Sequence, residues 1–452
     1  MLRLDLRGEG RAASMSAAVS IGDSKAASLE PHPLRTAVLG EVHARPVTAI
    51  VAPVRILHFA FDTTGERAAA DRAQLTAFCT ARGLATPQRG EKHLRVTLGA
   101  TVLRWEQHSE FTTYTWEFPS EADMPPFHPS AESLAAPMRQ VSQPGPVLVA
   151  IDLHLLPENP ARTAPEQLFD RASLAAAETD DALATYATDF QLDAGGYVRI
   201  LVTDRGMSGE RTGTLIQHII DIETYRTFAL LGLPEAQRLA PSIAAAEKRL
   251  AEVTETMRSA HDLSDNHHLL DELMALSAEV EAGGAASLFR FGASRAYDEI
   301  VAQRLQGIGE RAIGSLPTWS SFLARRMAPA LRTCMATEAR QAALSEKLKR
   351  AANLLRTRVD VERQQQNQQL LSSMNERTRL QLRLQTTVEG LSVAAITYYV
   401  VGLFGYLAKA AHEAHVVPID PLYLSAGFVP IAALAIWWVV HRIRSKHIGE
   451  PH

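Results

Sequence analysis

Two long apolar runs near the C-terminal end of the sequence constrain this chain more than any other feature. Val388–Leu407 and Leu422–Val440 are each about 20 residues long and almost entirely apolar, the length that an α-helix needs to cross a hydrocarbon core of ~30 Å. The second run contains no charged residue, and the only charge in the first is Glu389 at its edge. The sequence therefore predicts two transmembrane helices, 388–407 and 422–440, joined by a short loop.

The distribution of basic residues predicts which side of the membrane each segment faces. Basic residues flank the pair of runs on both outer sides: Arg377, Arg379, Arg383, Arg442, Arg444 and Lys446. The loop at 408–421 has Lys409 as its one lysine or arginine. Positive flanks stay in the cytoplasm, so we expect the preceding body and the basic tail at 441–452 inside and the loop outside. Two distant cysteines, Cys79 and Cys334, suit a reducing compartment as buried thiols.

The body divides by composition into a tail, an α/β domain and a helical stalk. Residues 1–29 are rich in alanine and serine, lack the apolar core of a secretory signal, and are expected to be a disordered tail. Residues 30–208 form the expected α/β domain, with a helix at Glu66–Arg82. The strand candidates are Val54–Phe61, His93–Arg104, Phe111–Phe118, Pro144–Leu156 and Tyr197–Thr203. We therefore expect a mixed sheet covered by helices.

Residues 209–387 are expected to be almost entirely helical. Apolar residues recur at helical spacing in Gly213–Leu231, and one or two amphipathic helices follow in Glu235–Glu281. The pair at 283–284, two glycines, is expected to break the helix before another begins in Leu288–Ile313, which Gly314 and Pro317 close. The predicted fold class is an α/β cytoplasmic domain followed by an all-α stalk and two C-terminal transmembrane helices.

The stalk ends in an unusually long stretch without a helix breaker. Ala330–Glu389 contains neither glycine nor proline, so one helix is expected to run directly into the first span. Its main apolar positions are Leu344, Leu348, Leu355, Val359, Leu370 and Met374. Several of these lie eleven residues apart, which favours a straight or slightly right-handed bundle of helices. Packing within a helical hairpin of the same chain is the alternative, and the two arrangements are compatible.

Three stretches of the sequence resemble a bacterial family of membrane-anchored proteins, the domain of unknown function 3422. These stretches are HPLRTAVLGEVHARP at His32–Pro46, HIIDIETYRTFALLGLPEA at His218–Ala236, and the run from Ser372 to Ala410. The likeness covers nearly the whole chain after the tail. It implies no established activity.

The order of the predicted segments is also similar to that of the CorA-type magnesium transporters. A cytoplasmic α/β domain, antiparallel helices, one very long helix into the membrane, a short outer loop, a second span and a basic tail follow one another in both. The resemblance implies a bacterial inner-membrane homo-oligomer, such as a pentamer. No cofactor is expected, and a divalent cation is the one candidate. CorA proteins have Gly-Met-Asn at the outer end of the first span, whereas this chain has Gly405-Tyr406-Leu407.

The first span carries a polar stripe that predicts a pore lining. Its members recur at steps of three and four: Glu389, Ser392, Ile396, Tyr399, Leu403 and Tyr406. In an oligomer this stripe would face the axis, with Glu389 attracting cations at the inner mouth. Alternatively, Glu389 snorkels to the surface and the Tyr/Ser face packs against the second span.

Two further groups are candidate polar sites. The outer loop offers His412, Glu413, His415 and Asp420, which would gather cations at an entrance or form an ordinary polar loop. In the α/β domain, Glu41, His43 and Arg45 would hold an anionic or metal-bound ligand or brace a loop by ion pairing.

Weaker signals lie in the stalk and at the end of the α/β domain. The stretch Asp221–Arg226 is more typical of a helix surface bonded to its neighbours than of an acid/base pair, which needs two carboxylates facing one cleft. The loop Asp204–Gly213 precedes a helix and would hold an anion through its N–H groups, but it lacks the ending of a phosphate loop.

Three function classes follow from these features. The leading hypothesis is a CorA-like, homo-oligomeric inner-membrane cation channel or transporter with a cytoplasmic regulatory domain. The alternative is a membrane-anchored cytoplasmic scaffold or ligand-binding protein without conduction. No set of residues supports an enzyme. The formal net charge of −4 gives no basic surface for nucleic acid, so the expected partners are lipid and other copies of the chain.

Overall fold

A computed structural model of the chain describes most residues between His32 and His447. The described ranges are 32–35, 38–39, 48–88, 90–141, 143–159, 162–260, 263–414 and 417–447. The chain divides into two compact units. The first comprises residues up to 241 together with 283–340, and the second comprises 242–282 and 341 onward. The expected tail at 1–29 lies outside the described residues.

The first unit is built on one mixed sheet of nine strands among the described residues. The strands are β1 Val54–Asp62, β2 His93–Leu98, β3 Thr101–Gln107, β4 Phe111–Pro119, β5 Val147–Pro157, β6 Ala175–Glu178, β7 Ala184–Thr188, β8 Val198–Asp204 and β9 Arg311–Ala312. Their order across the sheet is β2-β3-β4-β1-β5-β8-β7-β6-β9. All neighbours are antiparallel except β5 and β8, which run parallel.

Helices cover both faces of this sheet because its central strands are apolar on both sides. The shorter helices are α1 Arg67–Thr80, α2 Ala131–Leu134, α3 Ala136–Gln140, α4 Pro165–Leu168, α5 Gly209–Leu230 and α8 Trp319–Arg326. On β1, Ile56 belongs to the core beneath α5 and α8, whereas Leu57 and Phe59 belong to the core beneath α1 and α3. Because side chains alternate between the two faces of the strand, β1 contributes to two separate hydrophobic layers.

Four long helices complete the described part of the chain. They are α6 Gly232–Ser259, α7 Leu263–Ile308, α9 Ala328–Glu413 and α10 Pro421–His447. The prediction of one helix continuous with the first apolar run is confirmed: α9 has 86 residues, which is roughly 130 Å at 1.5 Å per residue. No glycine interrupts it before Gly390, inside the apolar run.

In the second unit, residues 341–362 of α9 pack on α6 and α7. Leu344, Leu348, Leu355 and Val359 are buried, so the intramolecular hairpin accounts for these four apolar positions. Arg358 Nη1 donates to the carbonyl of Met257 on α6 at 2.9 Å. Further along, the Asn266 side chain on α7 donates to both carboxylate oxygens of Glu362 at 3.0 and 3.2 Å.

Two sequence expectations for the first unit were wrong. Residues 93–104 are not one strand but the hairpin of β2 and β3, which turns at Gly99 with a φ of +63°. The glycine pair at 283–284 does not end a helix, because α7 runs through it to Ile308. Ser287 Oγ donates to the carbonyls of both glycines at 3.1 Å. Strands β6, β7 and β9 were not predicted at all.

Candidate functional site

Two helical stretches are long and apolar enough to cross a membrane, by length and composition. One ends at Glu413 in α9 and the other is Pro421–Arg442 in α10. Only 6% of the most apolar window of each is buried in the chain. A core helix of a soluble protein would be mostly buried, so the low burial of both helices favours membrane association.

The two candidate spans contact each other through one face of α9. The Phe404 ring stacks on Phe428 of α10 with centroids 4.0 Å apart. A Cβ added at Gly405 would lie 3.3 Å from Ser425 Oγ, and Ala408 is buried. Small residues of this kind let membrane helices approach closely.

The predicted stripe lies largely on the other side of α9, away from α10. Tyr399, Leu403 and Tyr406 are 71%, 66% and 78% exposed, and Ile396 is 46% exposed. Ser392 is also exposed, and its hydroxyl donates to the carbonyl of Val388 at 2.8 Å. The alternative in which the tyrosine and serine face packs on the second span is therefore wrong.

Glu389 differs from the rest of the stripe because it is only half-buried and lies at the edge nearest α10. The stacked pair Phe404 and Phe428 sets the register of the two helices. The same number of residues separates Phe404 from Gly390 and Phe428 from Arg442. Arg442 of the same chain is therefore level with Glu389, to within a residue.

The candidate residues of the loop between α9 and α10 mostly form bonds within the loop itself. His412 Nδ1 donates to the carbonyl of Val417 at 3.1 Å, and Asp420 accepts from the backbone N–H of Leu422 at 2.9 Å at the start of α10. Glu413 is the last residue of α9, and His415 lies outside the described residues. Within the described ranges, no three His, Cys, Asp or Glu side chains are grouped as a metal site would require.

The candidate residues Glu41, His43 and Arg45 lie outside the described residues.

The stretch Asp221–Arg226 on α5 forms bonds to its neighbours. Asp221 accepts from Arg304 Nε of α7 at 2.8 Å and from Gln217 at 2.6 Å. Burial raises the pKa of Asp221, and the Arg304 charge opposes that rise. These contacts agree with a helix surface bonded to its neighbours.

The loop that joins β8 to α5 uses its own N–H groups. Asp204 Oδ1 accepts from the backbone N–H of Gly206 at 3.0 Å and of Met207 at 2.8 Å. Because both donors are occupied by this carboxylate, they are not available to an anion.

The sequence reading missed a buried ion pair in the middle of the sheet. Arg55 on β1 donates from Nε and Nη2 to the two oxygens of Asp152 on β5 at 2.8 and 2.6 Å. The side chains are 2% and 1% exposed. Burial raises the pKa of Asp152, while the Arg55 guanidinium lowers it. Charged residues within otherwise apolar strands, VRILHF and AIDLHLL, were the available signal.

Beside this pair lies a fully buried histidine. His154 Nδ1 accepts from the backbone N–H of Phe127 at 3.3 Å, which leaves the proton on Nε2, and Nε2 has no hydrogen-bond partner among the described residues. Burial is the main cause that lowers the pKa of His154 to about 3, followed by the Arg55 charge. A neutral imidazole here braces the sheet rather than exchanging protons near neutral pH.

A cavity of about 600 Å³ opens on the same face of the sheet. Phe59, Phe61 and Tyr197 line it, with Met138 from α3 and the exposed Arg139 at its rim. Its volume and its mainly apolar wall with a few polar groups are typical of small-molecule sites.

The fold and these sites define a sheet-and-helix body joined through one long helix to two candidate membrane spans. The family model of the proteins of unknown function DUF3422 matches residues 30–447. The chain therefore belongs to this family. A search of the curated proteins and a search of the solved structures each find no match.

Proposed function

We propose that the protein is a CorA-like, homo-oligomeric cation channel or transporter of the bacterial inner membrane, with a cytoplasmic body that regulates it. The observation that carries this proposal is one uncovered face of α9. That face continues from residues 363–388 of α9, here called the lower stalk, into the first candidate span.

The lower stalk is a lone helix within the described chain. Between Arg363 and Val388, α9 has no buried residue, and Leu370, Leu371, Met374 and Leu384 are 62%, 66%, 64% and 68% exposed. Burying a leucine or methionine side chain is worth about 1.5–3 kcal/mol. A helix with this surface gains stability by packing against copies of itself.

The same side of the helix leads to the polar stripe. Steps of four, seven and eleven residues connect Leu370 and Met374 with Gln381, Ser392 and Tyr399, so these residues share one side of a helix with 3.6 residues per turn. A tyrosine hydroxyl that faces the hydrocarbon core of a bilayer has no hydrogen-bond partner there. When this side faces an oligomer axis and α10 lies outside against lipid, the apolar residues of the stalk pack against other copies. The polar residues of the span are then shielded from lipid.

The proposed topology follows the basic flanks. The arginines before α9 enters the apolar run and Arg442 after α10 would lie in the cytoplasm, with the loop between the helices outside. Arg442 lies over the Trp438 ring at 5.0 Å, which suits an interfacial position. Reporter fusions at the C-terminus and within the loop test this arrangement, and a C-terminal fusion active only outside the cytoplasm would contradict it.

The filter is expected to differ from that of CorA proteins. Gly405 lies against α10, whereas Tyr406 is exposed on the stripe. A ring of tyrosines would make a narrower neck than a ring of asparagines. We therefore expect slow or gated conduction, and magnesium selectivity of the CorA type does not follow.

A membrane-anchored ligand-binding protein without conduction is the second candidate function. The cavity beside Phe59, Phe61 and Tyr197 favours it, because a ligand there would be bound by the sheet domain alone. In this case α9 and α10 would serve as an anchor.

Cation flux into proteoliposomes separates the two candidates. Tyr406→Ala, on the exposed stripe, is expected to increase flux by widening the neck, and Glu389→Gln, at the edge of the stripe and level with Arg442, is expected to reduce flux by a smaller factor. Tyr423→Ala is the matched control, since Tyr423 is a similarly exposed tyrosine on α10, outside the stripe. Absence of flux in the wild type and in Tyr406→Ala would leave the ligand-binding anchor as the function.

A further inference from the structure

On the N-terminal side of the lower stalk, α9 carries a row of basic side chains. Lys349, Arg356 and Arg363 are exposed and lie seven residues apart. Seven residues are almost two helical turns, and the row drifts by only about 20° per step. The three side chains therefore project from one side of α9, with successive members roughly 10 Å apart along its axis.

No salt bridge joins Lys349, Arg356 or Arg363 to an acidic side chain in the part of the chain that the structure describes. Arg358 nearby shows the contrast, because it donates to the carbonyl of Met257 on α6 and lies 3.7 Å from Glu362. Asp360 lies four residues after Arg356 and three before Arg363, and it forms no ion pair with either among the described residues.

The basic row points in the direction that the proposed function turns toward the axis. The next seven-residue step after Arg363 is Leu370, the first apolar residue of the uncovered stalk face. Association through that face would bring Lys349, Arg356 and Arg363 of several copies into three facing rings. Like charges that converge in this way repel one another unless anions neutralise them.

We propose that these rings bind a polyvalent phosphate anion from the cytosol, which stabilises the assembled form. This inference rests on the proposed function, since one chain alone presents only a single sparse row. Guanidinium groups pair with phosphate oxygens in matching geometry, and an extended polyphosphate reaches from one ring toward the next. A lipid headgroup is too far away, because Arg363 precedes Val388 by roughly 38 Å of helix.

The test uses the full-length protein in lipid nanodiscs with inorganic tripolyphosphate as the probe. Light scattering follows the oligomer during heating, and titration calorimetry measures binding, at ionic strength held constant with KCl. Tripolyphosphate is expected to raise the dissociation temperature of the wild-type oligomer by several degrees. Inorganic phosphate in its monovalent form and KCl alone are each expected to change the dissociation temperature little.

Two triple variants separate the basic row from general charge effects. Lys349→Gln/Arg356→Gln/Arg363→Gln is expected to weaken tripolyphosphate binding at least tenfold and to assemble without the anion, because its rings no longer repel. Lys347→Gln/Arg350→Gln/Arg379→Gln removes the same number of exposed charges from other sides of α9. That control is expected to change binding less than twofold.

The outcomes distinguish this inference from the function on which it rests. An oligomer that forms but ignores tripolyphosphate, or one whose binding falls equally in both triple variants, overturns the anion site and leaves the assembly intact. A wild-type protein that stays monomeric with and without the anion overturns both. If the first triple variant fails to fold, comparing tripolyphosphate with KCl on the wild-type protein still shows whether the anion stabilises the oligomer.

Discussion

Neutralising Asp152 is expected to destabilise the sheet domain strongly. In Asp152→Asn, the Arg55 guanidinium, 2% exposed, loses its counter-charge. One of its two bonds to that side chain, at 2.8 and 2.6 Å, then meets an amide NH₂ group. The bond from Arg55 Nη1 to the carbonyl of Pro129 at 2.5 Å remains. Leaving one member of a buried pair uncompensated costs about 3–5 kcal/mol.

The double variant Arg55→Met/Asp152→Leu makes the origin of that loss visible. Replacing both charges by apolar side chains of similar size is often neutral or stabilising, by about 1–4 kcal/mol. We therefore expect the double variant to recover most of the stability that Asp152→Asn loses. Asp123→Asn is the control, because the ion pair between Asp123 and Arg162 is exposed and contributes at most about 1 kcal/mol to stability.

Urea unfolding followed by tryptophan fluorescence measures these differences on the full-length protein. Trp105 and Trp116 are fully buried in the same sheet domain and report its unfolding. A cost below about 1 kcal/mol for Asp152→Asn would refute the reasoning. So would a double variant as unstable as the single one, because the loss would then come from packing and not from the uncompensated charge.

Three further predictions concern stability and the long helix. The pKa of His154 is lowered to about 3, below its unfolded value near 6.5. Stability should therefore be unaffected above about pH 6.5 and fall by up to ~1.4 kcal/mol per pH unit below it. His154→Phe should reduce that slope in thermal unfolding scans from pH 7.5 to 5. Gly232→Ala should cost about 1–3 kcal/mol, because its Cβ would lie 2.5 Å from Ser294 Oγ. Gly292→Ala, with open space at that position, should be neutral or gain up to about 1 kcal/mol; equal melting temperatures for the two glycine variants would contradict this. Leu355→Pro should cost about 3 kcal/mol or more and reduce the oligomer seen by light scattering, and normal assembly would show that the rod is not structural.

The long-range order of elements was predictable where local patterns and packing agree. The β1 strand and the uninterrupted α9 followed from residue type alone. Ala175–Ala177 could not be recognised as β6, because alanine favours helices and the run is strand only through pairing with β7 and β9. The same override explains α7, where packing and Ser287 hold the helix through two glycines.

The candidate site was predictable only in part, because exposure depends on which helices lie nearby. Leu348, Val359 and Leu370 are equivalent in an eleven-residue repeat, yet the first two are buried by α6 and α7 and the third is 62% exposed. Tyr399 could be assigned to the face away from α10 only after Phe404 was seen stacked on Phe428. The bonded roles of His412 and Asp420 in the loop depend likewise on backbone geometry.

The copy number of the full-length protein in lipid nanodiscs tests the central claim most directly. Mass photometry counts the chains in each particle without a label or a variant. A pore lined by one α9 per chain predicts roughly four or more copies arranged around an axis. Particles that contain only one or two copies at every protein concentration would contradict the account, because the uncovered side of α9 could not then enclose an ion pathway.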